Sequence, residues 1–461
     1  MCIRDSSTVG DEVIIADELA EQFKEKCKIE KLEKIKSLED ISNIVCNHPF
    51  HNSGYEFDVN LYHADFVTLE QGTGFVHIAP GHGPDDYELG KANGVEVPET
   101  VDKDGIYFNH VPLFHGKKIF NDDGSDAEAN VAVIIELRNH NALSGKGSLR
   151  HSYPHSWRSK APVIFRNTPQ WFISMETNDL RKKALDAIEK VNWYPAQGKN
   201  RILSMIENRP DWVVSRQRAW GVPLSIFYHK ASGEPLVDTK LNEKIIKMYE
   251  EQGCDVWFEK TKAELLGDEY NPDEYEKVDD ILDVWFDSGC THAFVLDGKE
   301  DQIWPASIYL EGTDQHRGWF HSSLLESCGT RGIAPYEAVL THGFVLHEDG
   351  NKMSKSSSNI VPPAEIIEKS GADILRLWVA SSDYSDDLKI GPEIIKSNAD
   401  SYRRLRNSLR FILGNLDNFE DSEKIKFSDL PELDQYILGR LTVLEEEVLK
   451  NYQTHSHQSL Q

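Results

Sequence analysis

The sequence predicts an α/β protein whose second half forms a parallel β-sheet. Between residues 206 and 390, apolar strand-like runs are followed by helical stretches, the pattern of β–α units in a parallel sheet. Residues 1–150 mix short strand-like runs with Gly, Pro and Asp breaks, which predicts a compact mixed β domain. Residues 151–205, rich in aromatics and proline, are interpreted as a connector with one helix near 179–189. A helical domain should occupy 391–461, because one helical face collects Tyr402, Leu405, Leu409, Ile412 and Leu416.

The composition indicates a folded, soluble, cytoplasmic protein. The chain has 461 residues, 39% of them hydrophobic, and no apolar run long enough to span a bilayer. Its formal net charge of −27 argues against general coating of nucleic acid. The basic segment 401–410, with four arginines and no acid, is either a solvated helix face or a contact surface.

One strand-like run, residues 307–310, leads into a polar turn and then a helix from about 318 to 327. Ligands of open parallel sheets bind beyond the carboxyl ends of the strands. Glu311, Gly312, Asp314 and Gln315 fall at such an end, where a carboxylate can accept hydrogen bonds from an amino group or a ribose hydroxyl. Trp319 would wall an apolar pocket there. The alternative is an ordinary polar turn with Asp314 as the helix cap.

A second strand-like run, residues 339–346, precedes a short hydrophilic loop that carries Lys352 and Lys355. Such lysines can swing toward a triphosphate and neutralise charge that grows on a leaving pyrophosphate. The alternative is a solvent-exposed Lys/Ser loop. Downstream, Pro362 and Pro363 suit a helix start and Gly371 its end.

The run KMSKS, residues 352–356, resembles the second signature of class I aminoacyl-tRNA synthetases. The strings YLEGTDQHRGWF and DVWFDSG resemble the isoleucyl form of that family. The resemblance implies a Rossmann-like catalytic core, here its second half with a small insertion over 206–390, followed by the start of a truncated anticodon-binding helical domain over 391–461. It makes Lys352 and Lys355 catalytic and assigns substrate binding to Glu311, Gly312, Asp314, Gln315, Trp319, Trp285, His342, Gly343, Met353, Ser354 and Ser356. From the residues alone, Trp285 would be a core tryptophan and His342 a structural histidine.

The segment 72–90 resembles the proofreading domain inserted in isoleucyl, valyl and leucyl synthetases, which implies a partial editing domain over 1–150. By that resemblance His77 lines the pocket for the wrong amino acid and Asp86 binds its α-amino group. From spacing alone, His77, His82, Asp85 and Asp86 could instead ligate a metal.

Two family features are missing from the sequence. No His-x-Gly-His occurs, although the family's first signature, HIGH, contacts ATP. Some relatives also carry a zinc-binding Cys-x-x-Cys, but Ser156 and Ser159 stand here, so no zinc is expected. We therefore expect a fragment that lacks the N-terminal HIGH region and most of the anticodon domain, and that is inactive alone.

The resemblance implies ATP-dependent activation of isoleucine, transfer to tRNA(Ile), and hydrolytic editing of mischarged valine. ATP would enter as a substrate with Mg²⁺, and no membrane or protein partner is expected, since family members are usually monomeric. Two alternatives remain: a truncated module that binds tRNA or adenylate without turnover, and a valyl-tRNA synthetase relative.

Overall fold

The computed structural model describes residues 13–34, 44–70, 72–143, 145–147, 152–156, 159–353 and 359–456. The chain divides into two compact units, Met1–Pro169 and Gln170–Gln461. The division differs from the predicted boundaries at 150 and 205. The physical reason is that the helices and strand between residues 170 and 205 pack into the core of the second unit. No helix in the described part of the chain is both long and apolar enough to cross a bilayer.

The first unit is built from short elements around a small aromatic core. Its elements are α1 (Ala20–Cys27), β1 (Val45–Asn47), β2 (Asp58–Asn60), α2 (Pro84–Ala92) and α3 (Glu128–Asn139). Strands β1 and β2 pair antiparallel. Phe50, Val111 and Phe114 form the buried cluster, and the rings of Phe50 and Phe114 meet edge-on at 5.5 Å between centroids. Proline opens α2, as expected for a residue whose missing N–H is not needed at the first helical position.

The mixed β prediction holds only weakly for the described residues of this unit. The alternation of apolar and polar residues over 63–79 predicts a strand, yet the described residues of that segment form turns and irregular structure. An alternating segment becomes a strand only where a neighbouring strand satisfies its backbone hydrogen bonds, and none of the described residues supplies that partner.

The second unit begins with alternating short strands and helices. In chain order these are β3 (Phe172–Ile173), α4 (Leu180–Ile188), β4 (Asn192–Tyr194), α5 (Gln197–Glu207), β5 (Trp212–Val213), β6 (Ser215–Arg216), β7 (Phe227–His229), α6 (Thr239–Gln252), α7 (Val256–Glu259), α8 (Lys262–Leu266), β8 (Tyr275–Lys277), β9 (Ile281–Leu282) and α9 (Val284–Gly289). The remaining elements are β10 (Tyr309–Gly312), α10 (Trp319–Thr330), β11 (Ala338–His342), β12 (Val345–His347), α11 (Pro363–Ser370), α12 (Ala372–Ser381), β13 (Leu388–Ile390), α13 (Pro392–Asn415) and α14 (Glu432–Gln453).

The predicted parallel sheet is confirmed. Its order is β10-β11-β4, and both pairs run parallel. Helices α4, α5 and α10 contribute most of the side chains that fill the core beside it, among them Ile188, Ile202, Phe320 and Leu324 with 0% exposure. Helix α10 is buried along residues 320–328, so it is a central element of the unit.

Residues 227–277 form a satellite cluster with its own core. Strands β7 and β8 pair antiparallel, and α6, α7 and α8 pack Leu241, Trp257 and Leu265 against Phe227. The indole Nε1 of Trp257 donates a hydrogen bond to the carbonyl of Val278 at 2.8 Å. The small insertion that the family resemblance implies within 206–390 stays a prediction, for which this cluster is the candidate.

The C-terminal helices follow the predicted boundaries at α11 and diverge in packing further on. Pro362 and Pro363 open α11, and Gly371 ends it with a φ of 87°, a conformation that favours glycine. In α13 the predicted apolar stripe is present, but Leu405, Leu409, Ile412 and Leu416 are all at least half exposed. The predicted helices are therefore present among the described residues, but they do not pack against one another as a bundle would require.

Candidate functional site

The carboxyl ends of β10 and β11 lie side by side at one edge of the parallel sheet. The register pairs Glu311 with Thr341 and Gly312 with His342. A Cβ atom on Gly312 would lie only 3.8 Å from Cε1 of His342, so the two strand ends are in close contact. The side chain of Glu311 is exposed at this edge, where a ligand could contact it.

Gln315, rather than Asp314, caps the helix that follows β10. Its Oε1 accepts a hydrogen bond from the backbone N–H of Trp319 at 3.0 Å, and its Nε2 donates to Oδ2 of Asp314 at 3.4 Å. The alternative that Asp314 caps this helix is wrong, because a short 3-10 turn over Thr313–Arg317 separates it from the start of α10. The cap fixes the direction of the Gln315 carboxamide.

The two predicted pocket tryptophans lie in different environments. Trp319 stacks on Tyr309 at 4.0 Å, and its Nε1 donates to the carbonyl of Ser288 at 3.0 Å. Trp285 is 43% exposed. Its ring edge contacts Gly318, where a Cβ atom would lie 2.9 Å from Cζ3 of the indole. Trp285 therefore presents an open ring, while Trp319 holds α9 in place from the core side.

Gly343 stands where the chain leaves β11 and makes a close backbone contact. Its N–H donates to the carbonyl of Tyr384 at 2.9 Å. The carbonyl group of Asp386 occupies the position that a Cβ atom on residue 343 would take, so only glycine fits. The contact also explains why the predicted strand over 339–346 is split into β11 and β12.

The lysine loop begins directly beyond this break. Lys352 forms a β-bridge with Leu346, and its Nζ lies 5.5 Å from the ring centroid of Phe344. The ammonium group therefore sits close to the chain just beyond the strand end that carries His342. Met353 packs against the cluster of Ile366 and Trp378, which anchors this side of the loop. Ser354, Lys355 and Ser356 lie outside the described residues.

In the first unit, the predicted editing residues lie close together. Asp86 accepts a hydrogen bond from the backbone N–H of Ala79 at 2.9 Å. Desolvation lowers the pKa of His77, and the nearby Asp86 carboxylate opposes this effect. His48, which sequence reasoning missed, belongs to the same group, since burial and the neighbouring His77 lower its pKa to about 4.

The geometry of the described residues gives no support to the alternative of a metal site here. Both ring nitrogens of His82 are engaged, one with the carbonyl of Phe165 at 2.8 Å and the other with Oγ1 of Thr100 at 3.0 Å. Across the residues that the structure describes, no three His, Cys, Asp or Glu side chains are placed to hold a metal ion.

Sequence analysis also missed a cavity of about 260 Å³ beside Trp285. Arg209, Arg317 and His321 are among the residues that line it. Arg317 lies within the string YLEGTDQHRGWF, but no pattern in the sequence links it to Arg209. Only the packing of α10 beside the segment that precedes β5 brings these side chains together.

Comparison with known proteins identifies relatives along most of the chain. The family model of tRNA synthetases class I (I, L, M and V) matches residues 16–391. An isoleucine--tRNA ligase of Pelagibacter ubique is 53% identical over 445 residues, which cover 95% of this chain and 48% of that protein. An isoleucine--tRNA ligase of Caulobacter vibrioides is 49% identical over 461 residues, covering 97% of this chain and 47% of that protein.

A solved structure with a detectable likeness is a Mycobacterium tuberculosis methionyl-tRNA synthetase bound by methionyl-adenylate. It is 18% identical with a TM-score of 0.46, and the likeness covers 68% of this chain and 54% of that one. The chain spans about half the length of the curated relatives it matches. Because the family match extends over most of its residues, the chain belongs to the class I tRNA synthetases of the I, L, M and V group.

Proposed function

We propose that this chain provides the adenylate-binding half of an isoleucine–tRNA ligase, which activates isoleucine with ATP and transfers it to tRNA(Ile). The single observation that carries the proposal is the shared sheet edge at which Gly312 and His342 pair and Glu311 is exposed. Ligands of open parallel sheets bind at such an edge. Similarity to isoleucine--tRNA ligases at about half identity supports the choice of amino acid.

The geometry suits a reaction that depends on positioning and charge. The isoleucine carboxylate attacks the α-phosphate of ATP, brought with Mg²⁺ as substrate, and pyrophosphate leaves. Lys352, near this edge, and Lys355 would neutralise the charge that grows on the leaving group. The substrate supplies the nucleophile, so the protein needs no covalent intermediate.

The aminoacyl part would be held from the strand end and from α9. Glu311 would accept hydrogen bonds from the α-amino group, and the capped Gln315 would orient the ligand. The exposed ring of Trp285 would form the wall of the side-chain pocket, while Trp319 supports it through Ser288. Gly312 and Gly343 would admit the nucleotide close to the backbone, next to His342.

A titration with non-hydrolysable isoleucyl-, valyl- and leucyl-adenylate analogues tests this assignment. We expect the isoleucyl analogue to bind most tightly, and Glu311→Gln to weaken its binding by about tenfold or more, as for a lost charge-assisted hydrogen bond. Glu337→Gln is the matched control, because Glu337 is also exposed but directly precedes β11, at the opposite end of the strands. Equal binding by the Glu311 and Glu337 variants, or a preference for the valyl analogue, would overturn the proposal.

Turnover is a separate part of the proposal. The sequence holds no His-x-Gly-His, so we expect the 461-residue chain to bind the analogue without charging tRNA. ATP–pyrophosphate exchange and tRNA charging measure this directly, and robust charging by the chain alone would contradict it.

Editing is proposed for the first unit. His77 and Asp86 would line the site that hydrolyses mischarged valine, with Asp86 binding the α-amino group. A pocket that accepts isoleucine discriminates against valine by only about 1–3 kcal/mol, because valine is just one methylene smaller. This pair of amino acids is the standard example of an enzyme that needs a second, hydrolytic site to remove the wrong product.

A further inference from the structure

The cavity beside Trp285 is lined by an unusual number of cationic and polar groups. It has a volume of about 260 Å³ and lies between the start of α10, the turn before β5 and the start of α9. Its lining includes Arg209, Arg317, His321, Ser322 and Trp285. A space of this kind with convergent polar groups is typical of a ligand site rather than of a packing defect.

Two of these groups are buried with unmet hydrogen-bonding capacity. His321 is only 4% exposed, and neither of its ring nitrogens has a hydrogen-bond partner among the residues that the structure describes. The Nε of Arg209 is likewise buried and has no hydrogen-bond partner in the described part of the chain. Leaving a buried polar group unsatisfied costs about 1–3 kcal/mol, so a ligand that accepts hydrogen bonds would recover this loss.

Two acidic residues line the cavity, Asp211 and Asp283, against three arginines, Arg209, Arg216 and Arg317. Asp283 forms an ion pair with Arg216 at 2.9 Å, and Oδ1 of Asp211 accepts a hydrogen bond from the backbone N–H of Met175 at 2.9 Å. Arg209 and Arg317 form no ion pair among the described residues. The cavity therefore carries an excess of positive charge.

Arg209, whose guanidinium lies over the ring of Trp212, and Arg317 act on the same imidazole. Desolvation, followed by the charges of Arg209 and Arg317, lowers the pKa of His321 to about 3. Both guanidinium groups therefore lie near a neutral histidine, whose ring can donate one hydrogen bond from N–H.

We propose that this cavity is a binding site for a phosphate group, free or carried by a nucleotide, held by Arg209 and Arg317 with His321 as a neutral donor. Guanidinium groups bind phosphate oxygens in paired hydrogen bonds, and three donors converging on one small space match the several acceptors of a phosphate. The cationic surroundings exclude a metal ion as the ligand. Trp285 lines this cavity and is also assigned to the proposed side-chain pocket, but none of the three residues that would hold the phosphate is assigned to the adenylate.

Calorimetric titration of the full chain with inorganic phosphate, pyrophosphate and AMP tests the proposal at constant ionic strength. We expect saturable phosphate binding that Arg317→Gln weakens by about tenfold or more, the effect of losing one charge-assisted bond. Arg317 is exposed, so the variant should fold. Arg376→Gln is the matched control, because Arg376 is an exposed arginine of α12 paired with Asp373. Tighter binding of AMP than of phosphate, with the same loss in Arg317→Gln, would assign the site to a nucleotide, and the reverse order would assign it to the free ion.

His321→Leu separates a binding role from a structural one. Removing an unsatisfied buried imidazole should raise the midpoint of thermal unfolding while weakening phosphate binding. Loss of phosphate binding in Lys352→Ala but not in Arg317→Gln would place the anion at the lysine loop and overturn the proposal. The proposal fails if phosphate stabilises the chain no more than chloride does, or if Arg317→Gln and Arg376→Gln bind it equally well.

Discussion

Replacing Glu326 with glutamine should remove a large part of the pH dependence of unfolding. Glu326 lies on α10 and is only 8% exposed. Among the described residues neither carboxyl oxygen has an N–H or O–H donor, and the carboxyl group interacts with the thiol of Cys290, a weak donor. Burial raises the pKa of Glu326 from 4.5 to about 8.

The sign of the effect follows from proton binding. Because the folded pKa lies above the unfolded one, the folded state binds the proton more tightly between these two values. The stabilisation is therefore complete below pH 4.5 and is lost as the pH rises to about 8. At about 1.4 kcal/mol per pH unit, the loss between pH 5 and pH 8 amounts to about 4 kcal/mol. Glu326→Gln stays neutral throughout and should not show this loss.

Thermal unfolding of both proteins at several pH values between about 5 and 8 measures the effect, below the range in which thiols titrate. As the pH rises from about 5 to about 8, we expect the midpoint of thermal unfolding to fall by about 10 °C more in the original protein than in the variant. Glu337→Gln, an exposed control, should follow the original protein throughout. Parallel curves for the Glu326 variant and the original protein would refute the reasoning, because they would mean that Glu326 is ionised at little cost in the folded state.

Three further predictions follow from single contacts. Gly318→Ala should destabilise the second unit by roughly 1–3 kcal/mol, because its Cβ would lie 2.5 Å from Oε1 of Gln315. Gly414→Ala should instead stabilise the second unit by about 0.5–1 kcal/mol, because Gly414 lies in α13 and no atom lies within 4 Å of the new Cβ. Thermal unfolding of the Gly318 and Gly414 variants measures both effects. Trp285→Ala should weaken binding of the isoleucyl-adenylate analogue by about tenfold or more with little change in the unfolding midpoint, as titration and melting would show. Asp86→Ala should slow hydrolysis of valyl-tRNA(Ile) by about tenfold or more, and equal deacylation rates would contradict the editing assignment.

Local signals in the sequence were reliable where one element decides the outcome. The β–α alternation predicted the parallel strands, and the proline pair and Gly371 predicted the bounds of α11. The first unit shows the limit of such signals. Its alternating segment forms no strand among the described residues, because a strand requires a partner that may lie anywhere in the chain.

The candidate site shows the same division. Placing Glu311 and His342 at strand ends required only the rule that strands of a parallel sheet end together. The different roles of Trp285 and Trp319 depend on which ring faces Tyr309, and the capping role of Gln315 depends on a short 3-10 turn. Neither the roles of the two tryptophans nor the cap by Gln315 produces a periodic pattern in the amino-acid sequence.

By itself, the sequence determined the family, the parallel sheet and the residues at its edge, because each rests on short strings or on the period of neighbouring residues. Only the tertiary structure decided that Asp386 fills the space at Gly343, that Glu326 is buried near Cys290, and that Arg209 and Arg317 line one cavity with His321. These contacts join residues far apart in the chain. Their energies come from burial and from charges at short range, which depend on how the helices pack and not on the order of the residues.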